Sequence, residues 1–258
     1  MIMHSKIYGK GQPLLILHGL FGMGDNWTTL GKKWAGDHQE VHLLDLRNHG
    51  KSFHSGAMSY DLLSEDLLNY MERHGLSKPV LLGHSMGGKA AMHFSLHYPE
   101  NARALVVADI APRSYPAHHQ KIITSIKHVP INTLKSRGAL NEFLQENIDD
   151  PAIRELLSKN SYRTEEDHFA FRFYLPGIEN NYEGLISAQS TEKTYHGKAL
   201  FLCGDESDYI VREDFSEIQK IFPGSEIITI PKAGHWIHLD NPQAVYEKVD
   251  RFLKAYQE

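Results

Sequence analysis

The sequence predicts an α/β fold: a mostly parallel central sheet flanked by helices, with a helical cap inserted between two of its strands. Three observations predict it. Short apolar runs of strand length alternate with helical patterns from Leu14 to Ala108, and the sheet pattern resumes at Ala199. One of these runs, Val80–Leu82, passes into Gly83-His84-Ser85-Met86-Gly87 and then straight into a helical stretch. Between Arg113 and Glu192 the alternation stops and helical segments follow one another. The expected division is a core of residues 1–112 and 193–258 and a cap of residues 113–192.

Met3–Tyr8 reads as an edge strand, and Leu14–Leu17 as a buried one. Asp25-Asn26-Trp27 looks like a helix start, reaching to Ala35. Val41–Leu44 is the next strand. Tyr60–His74 places Leu62, Leu63, Leu67, Tyr70 and Met71 at helical spacing, and Gly75 ends it. The helix after Ser85 runs to His97 and is stopped by Pro99. Ala104–Ala108 is another buried strand, closing on Asp109-Ile110-Ala111-Pro112. His118–His128 and Thr133–Ile148 look helical, and Asp150-Pro151 opens a helix over Ala152–Lys159. Phe169, Phe171, Phe173 and Leu175 either line an apolar pocket or pack the cap onto the core. Ala199–Cys203 and Ile227–Ile230 complete the sheet, and Pro242–Lys254 is the closing amphipathic helix.

A hydrophobic content of 41% with 23% charged residues predicts a soluble globular core. The net charge of −5 is mild and gives no reason to expect nucleic acid or an anionic membrane as partner. The longest apolar runs are far too short to span a bilayer, so no stable membrane insertion is expected. No secretory signal is visible at the N-terminus. Cys203 is the single cysteine, which excludes an internal disulfide; it reads as a core filler. The expected compartment is the cytoplasm. Nothing in the sequence sets an oligomeric state.

Strand, tight turn and helix around G-x-S-x-G is the context in which a serine becomes a nucleophile. The turn strains the backbone at Ser85 and lifts its hydroxyl above the sheet. A side chain at position 83 or 87 would collide with the neighbouring strand or helix. Two overlapping patterns fail. Gly83 to Lys89 fits the start of a phosphate-binding loop, but Ala90 stands where a magnesium-binding Ser or Thr is needed. Lys89 lies four residues after Ser85, so S-x-x-K is absent as well. Adjacent His118 and His119 diverge on a helix, and no H-E-x-x-H occurs, so neither a metal nor a cofactor is expected. A serine needs a base to take its proton, and histidine suits that task near neutral pH.

The whole chain resembles the α/β-hydrolase superfamily, and within it the YbfF-type bacterial acyl esterases. The resemblance rests on His18-Gly19-Leu20-Phe21-Gly22 with Asp25-Asn26, and on Asp45-Leu46-Arg47-Asn48-His49-Gly50. It rests equally on Gly83 to Ala90, on Asp109-Ile110-Ala111-Pro112 and on Ala233-Gly234-His235-Trp236. Tyr174 departs from it, standing where the group tends to have asparagine. The resemblance implies an α/β-hydrolase fold, Ser85 as nucleophile and His235 as base. His238 then reads as surface or bracing. The resemblance also implies an oxyanion hole from the backbone N–H groups of Leu20 and Met86, with His18 bracing that loop. The usual position of the triad acid falls on Ser207, which carries no charge, flanked by Asp205 and Asp208. Asp109 is the alternative that YbfF-type enzymes use, with Ser207 in support. The substrate implied is a small acyl ester or thioester, acyl-CoA included. C–C bond hydrolases and cofactor-free haloperoxidases share the scaffold and the serine, and a non-enzymatic ligand-binding module is a further reading.

Overall fold

The inner strands of the sheet are buried on both faces, because helices cover it front and back, and that burial accounts for their near-continuous apolar runs. The computed structural model describes residues 1–189 and 192–255. The first half contains β1 (Ser5–Gly9), β2 (Gln12–Leu17), α1 (Thr28–Trp34), β3 (Gln39–Leu44), α2 (Tyr60–His74), β4 (Val80–His84), α3 (Met86–His97) and β5 (Ala104–Ala108). Next come α4 (Gln120–His128), α5 (Arg137–Asn147) and α6 (Pro151–Lys159), then β6 (Ser161–Arg163), β7 (Phe169–Phe171), α7 (Leu175–Glu179) and α8 (Tyr182–Ile186). The chain closes with β8 (Lys198–Gly204), α9 (Phe215–Ile221), β9 (Ser225–Ile230), α10 (Ile237–Asp240) and α11 (Pro242–Lys254).

Seven strands form one sheet in the order β1-β3-β2-β4-β5-β8-β9, and only the edge strand β1 runs antiparallel to its neighbour. The register sets Leu17 beside Gly83 and His84 beside Ala108, so the ends of β2, β4 and β5 are level. Side chains alternate between the faces with period two. Leu15, Leu17, Leu81, Val107 and Phe201 pack with α2 and α3 on one side. Leu14, Ile16, Leu43, Leu82 and Leu202 pack on the other against Trp27, Trp34, Val245 and Val249. From β2 the chain turns to β3 on one side and then crosses to β4 on the other. That reversal opens a crevice at the carboxyl ends of β2 and β4, where open α/β sheets hold their ligands.

The elements between β5 and β8 pack over this crevice. Tyr60 Oη donates to the Leu185 carbonyl at 2.6 Å, and the Tyr174 N–H donates to Asn48 O at 2.8 Å. Phe173 meets Phe21 edge-on at 5.1 Å and stacks on Phe171 at 4.8 Å. Of the two roles open for this phenylalanine set, Phe171 and Phe173 serve packing. Residues 190–191, inside the expected cap, and 256–258 lie outside the described residues.

Candidate active site

The turn after β4 has the strain that the motif requires. Ser85 sits at φ 52°, ψ −120°, a conformation that costs a non-glycine residue free energy and is held by its surroundings. Its N–H donates to Ala108 O at 3.1 Å, and its carbonyl accepts from Lys89 N at 3.0 Å. Glycine is obligatory on both sides. A Cβ on Gly83 would lie 2.1 Å from Gly87 O, and one on Gly87 would lie 2.3 Å from Leu17 O.

Asp109 follows β5 at φ 51°, again a left-handed residue at a strand end. Its carboxylate is fully buried and has three donors. Oδ1 accepts the Gly204 N–H at 3.0 Å. Oδ2 accepts the Ser207 hydroxyl at 2.5 Å and faces His235 Nδ1 at 2.9 Å. Ser207 Oγ in turn accepts the Tyr209 N–H at 3.2 Å, which directs its own hydrogen toward Asp109. The histidine loop is anchored at Ala233 N by Asp205 Oδ1 (3.0 Å) and at Gly234 N by Asp240 Oδ2 (2.9 Å). Asp205 is therefore committed to shaping the loop, and of the three acids considered it is Asp109 that meets the His235 ring.

Burial raises the Asp109 carboxyl to about 6, against the pull of the Ser207 and Gly204 hydrogen bonds. Burial also lowers His235 to about 3 and keeps its ring neutral, the form that accepts a proton. Tyr209 lies flat on that ring, centroids 3.5 Å apart and planes 16° from parallel.

Leu20 lies on the loop after β2, and Met86 opens α3, where the first N–H groups have no intrahelical acceptor. Both residues line a small cavity together with Ser85. The loop's shape comes from two buried neutral histidines. His18 Nε2 accepts from Leu46 N at 3.0 Å and its Nδ1 meets Gly19 O at 2.8 Å. His49 Nε2 accepts from Phe21 N at 3.1 Å and its Nδ1 meets Arg47 O at 2.9 Å. Burial lowers His18 to about 4 and His49 to about 3, so each has one donor and one acceptor nitrogen and both are used. His18 thus braces the loop. The turn after β3 is structural as well: Asp45 accepts Gly24 N and Lys51 N, each at 2.8 Å, and Arg47 forks onto Asp66.

Three features were not read from the sequence. Tyr209 carries no periodic or motif signal. His84 bonds through Nε2 to the carbonyl of His235 at 2.9 Å, a tie that the motif letter x conceals. His118 and His119 line the cavities beside Ser85, where the sequence had suggested only a question of metal. Of the two places open for His238, surface or bracing, the structure has the second: it is buried on the short helix α10 and stacked on Trp27 at 4.3 Å. Cys203 lies in the core, as expected.

Among the described residues no group of three or more His, Cys, Asp or Glu is arranged to hold a metal, and no helix is long and apolar enough to cross a membrane. The chain belongs to the α/β-hydrolase fold family, whose sequence profile matches residues 12–242. It is 36% identical over 255 residues to the sn-1-specific diacylglycerol lipase ABHD11 of Danio rerio, covering 95% of this chain and 80% of that one. It is 29% identical over 245 residues to esterase YbfF of Escherichia coli strain K12, covering 95% and 94%. The solved structure of a marine microorganism esterase superposes with a TM-score of 0.94 at 37% identity, over 97% of this chain and 99% of that one.

Proposed function

We infer that this protein is a serine hydrolase of carboxylic acyl esters, thioesters included, working through an acyl-enzyme on Ser85. The observation that carries this reading is the bond between the fully buried Asp109 carboxylate and His235, joined at 2.9 Å, where the histidine shares a cavity with the strained Ser85. Similarity to an esterase and a lipase supports it.

In this mechanism Ser85 Oγ attacks the ester carbonyl while His235 Nε2 takes its proton. Asp109 holds Nδ1–H and so fixes the tautomer, and it stabilises the imidazolium that forms. Ser207 keeps Asp109 ionised by donating to the same oxygen. The oxyanion of the tetrahedral intermediate is received by the N–H groups of Leu20 and Met86, each worth about 3 kcal/mol in the transition state. His235 then gives its proton to the leaving alcohol or thiol, and water repeats the cycle on the acyl-enzyme. Residues 113–192 act as a cap that limits water and shapes the substrate space. No cofactor enters any step.

A fluorophosphonate probe tests the reading. It should label Ser85 in the native protein and leave Ser85→Ala unlabelled. An unlabelled native protein that turns over neither esters nor acyl-CoA thioesters would refute it.

A further inference from the structure

Two cavities of unequal size meet at Ser85. The wider has a volume of about 320 Å³, and the narrower about 40 Å³. Leu20 and Ser85 belong to both. His235 and Trp236 line only the wide one, whereas Met86 and Ile110 line only the narrow one. This asymmetry orients a substrate. The leaving group must sit on the side of the histidine that protonates it, so the alcohol portion belongs in the wide cavity. The acyl chain then points away from His235, past Met86, into the narrow one.

The narrow cavity is about one eighth the volume of the wide one. A water-sized unit needs about 10–15 Å³ of such volume, so 40 Å³ holds about three or four non-hydrogen atoms beyond the carbonyl. Its walls include Leu185, Tyr182 and Tyr115. Tyr115 is fixed by its hydroxyl, which accepts from Ala111 N at 2.8 Å and donates to Tyr209 O at 2.5 Å. Lys89, nearly inaccessible to solvent, is also in the lining. Its ammonium donates to the carbonyls of Arg113 (2.8 Å), Ile186 (3.3 Å) and Ser187. A longer chain would have to break that buried charge from its acceptors. The wide cavity is different in kind, with Lys121, Asn147, Asp149 and Asp150 on its walls.

On the hydrolase reading above, we propose that the enzyme selects esters of short acyl groups, up to about five carbons, carried on a larger and polar alcohol. Leu185 is the specificity-determining residue for acyl length. It lines the cavity, while its backbone carbonyl is held by Tyr60.

The test is a series of p-nitrophenyl esters from acetyl to dodecanoyl at constant alcohol, followed by butyryl esters of alcohols graded in size and polarity. Native kcat/KM should be highest between C2 and C5 and fall more than tenfold by C8, while changing little with larger polar alcohols. Leu185→Ala should move the optimum longer by about two carbons, and Leu185→Phe should confine it to acetyl. A native kcat/KM that rises through C8, or that is as high for a long-chain diacylglycerol as for butyryl esters, overturns the proposal. So does steep rejection of large alcohols, which would reverse the orientation. Absence of turnover at every length, with no labelling of Ser85, overturns instead the hydrolase reading on which this one rests.

Discussion

Two regions face each other across Ser85, and different forces hold them. The carboxyl edge of the sheet is set by backbone. Ser85 and Asp109 both have positive φ at strand ends, Gly83 and Gly87 leave no room for a side chain beside neighbouring carbonyls, and His18 and His49 spend both ring nitrogens on main-chain groups. The overlying insertion has a main-chain bond to the core, from Tyr174 N to Asn48 O, among ties made by side chains: Lys89 to three carbonyls, Tyr60 to Leu185, Asn181 to Gly56 and Phe173 on Phe21. The first kind of order tolerates no displacement, which suits bond-making geometry. The second can be altered one side chain at a time, which suits a change of substrate.

The comparison is tested hardest at the chemical groups. Ser85→Ala should lower kcat by about 10⁶ with an unchanged melting temperature, by analogy with other serine triads. Retained turnover would remove the nucleophile from the site. Asp109→Asn should lower kcat by about 10⁴, because the amide presents the wrong hydrogen to Nδ1. Asp208→Asn and Asp205→Asn should cost far less, and a crippled Asp208→Asn beside an active Asp109→Asn would move the acid to Asp208.

Gly87→Ala probes the rigidity of the edge itself. The added methyl lands on Leu17 O and forces the strand or helix to shift, at about 3 kcal/mol. Denaturant unfolding should show that loss, together with reduced activity. Unaltered stability would mean that the edge yields more than its geometry suggests. Lys89→Met leaves three carbonyls without their cation and should cost about 1–3 kcal/mol. Proteolysis should then cut first between residues 113 and 189. If cleavage is no faster than in the native protein, the insertion has other anchors.

The mildest effect expected is on pH dependence. On the proposed mechanism, catalysis needs an ionised Asp109 beside a neutral His235. With the Asp109 carboxyl raised to about 6, kcat/KM should fall as pH drops through that value. Removing the hydroxyl in Ser207→Ala takes away a donor that favours the carboxylate, so the acid limb should move to higher pH. A limb that stays in place would show that Ser207 does not tune the acid.

The sheet was legible because its signals are local. Tyr60–His74 was read to the residue, with Ser59 accepting from Leu62 N at one end and Gly75 at φ 63° at the other. Pro242–Lys254 was equally clear behind its Asn241 cap. The ribbon of β6 and β7 was not, because strands of three residues carry too few alternations to register. The helix α9 was not read either. In the site, Ser85 and His235 stand in motifs. Only the resemblance favours Asp109 over Asp205 and Asp208, because the usual acid position holds Ser207. Tyr209 and the two cavities depend on how the insertion closes, which no local pattern encodes.

The bond from His84 Nε2 to the carbonyl of His235 spans 151 residues, and the Asp109–His235 bond spans 126. Contacts at such separation cost more loop-closure entropy than local ones, and chains rich in them fold more slowly. The loop that carries His235 is therefore expected to dock on the residue before Ser85 late in folding. During refolding from denaturant, helical signal should recover first, and esterase activity should lag behind it.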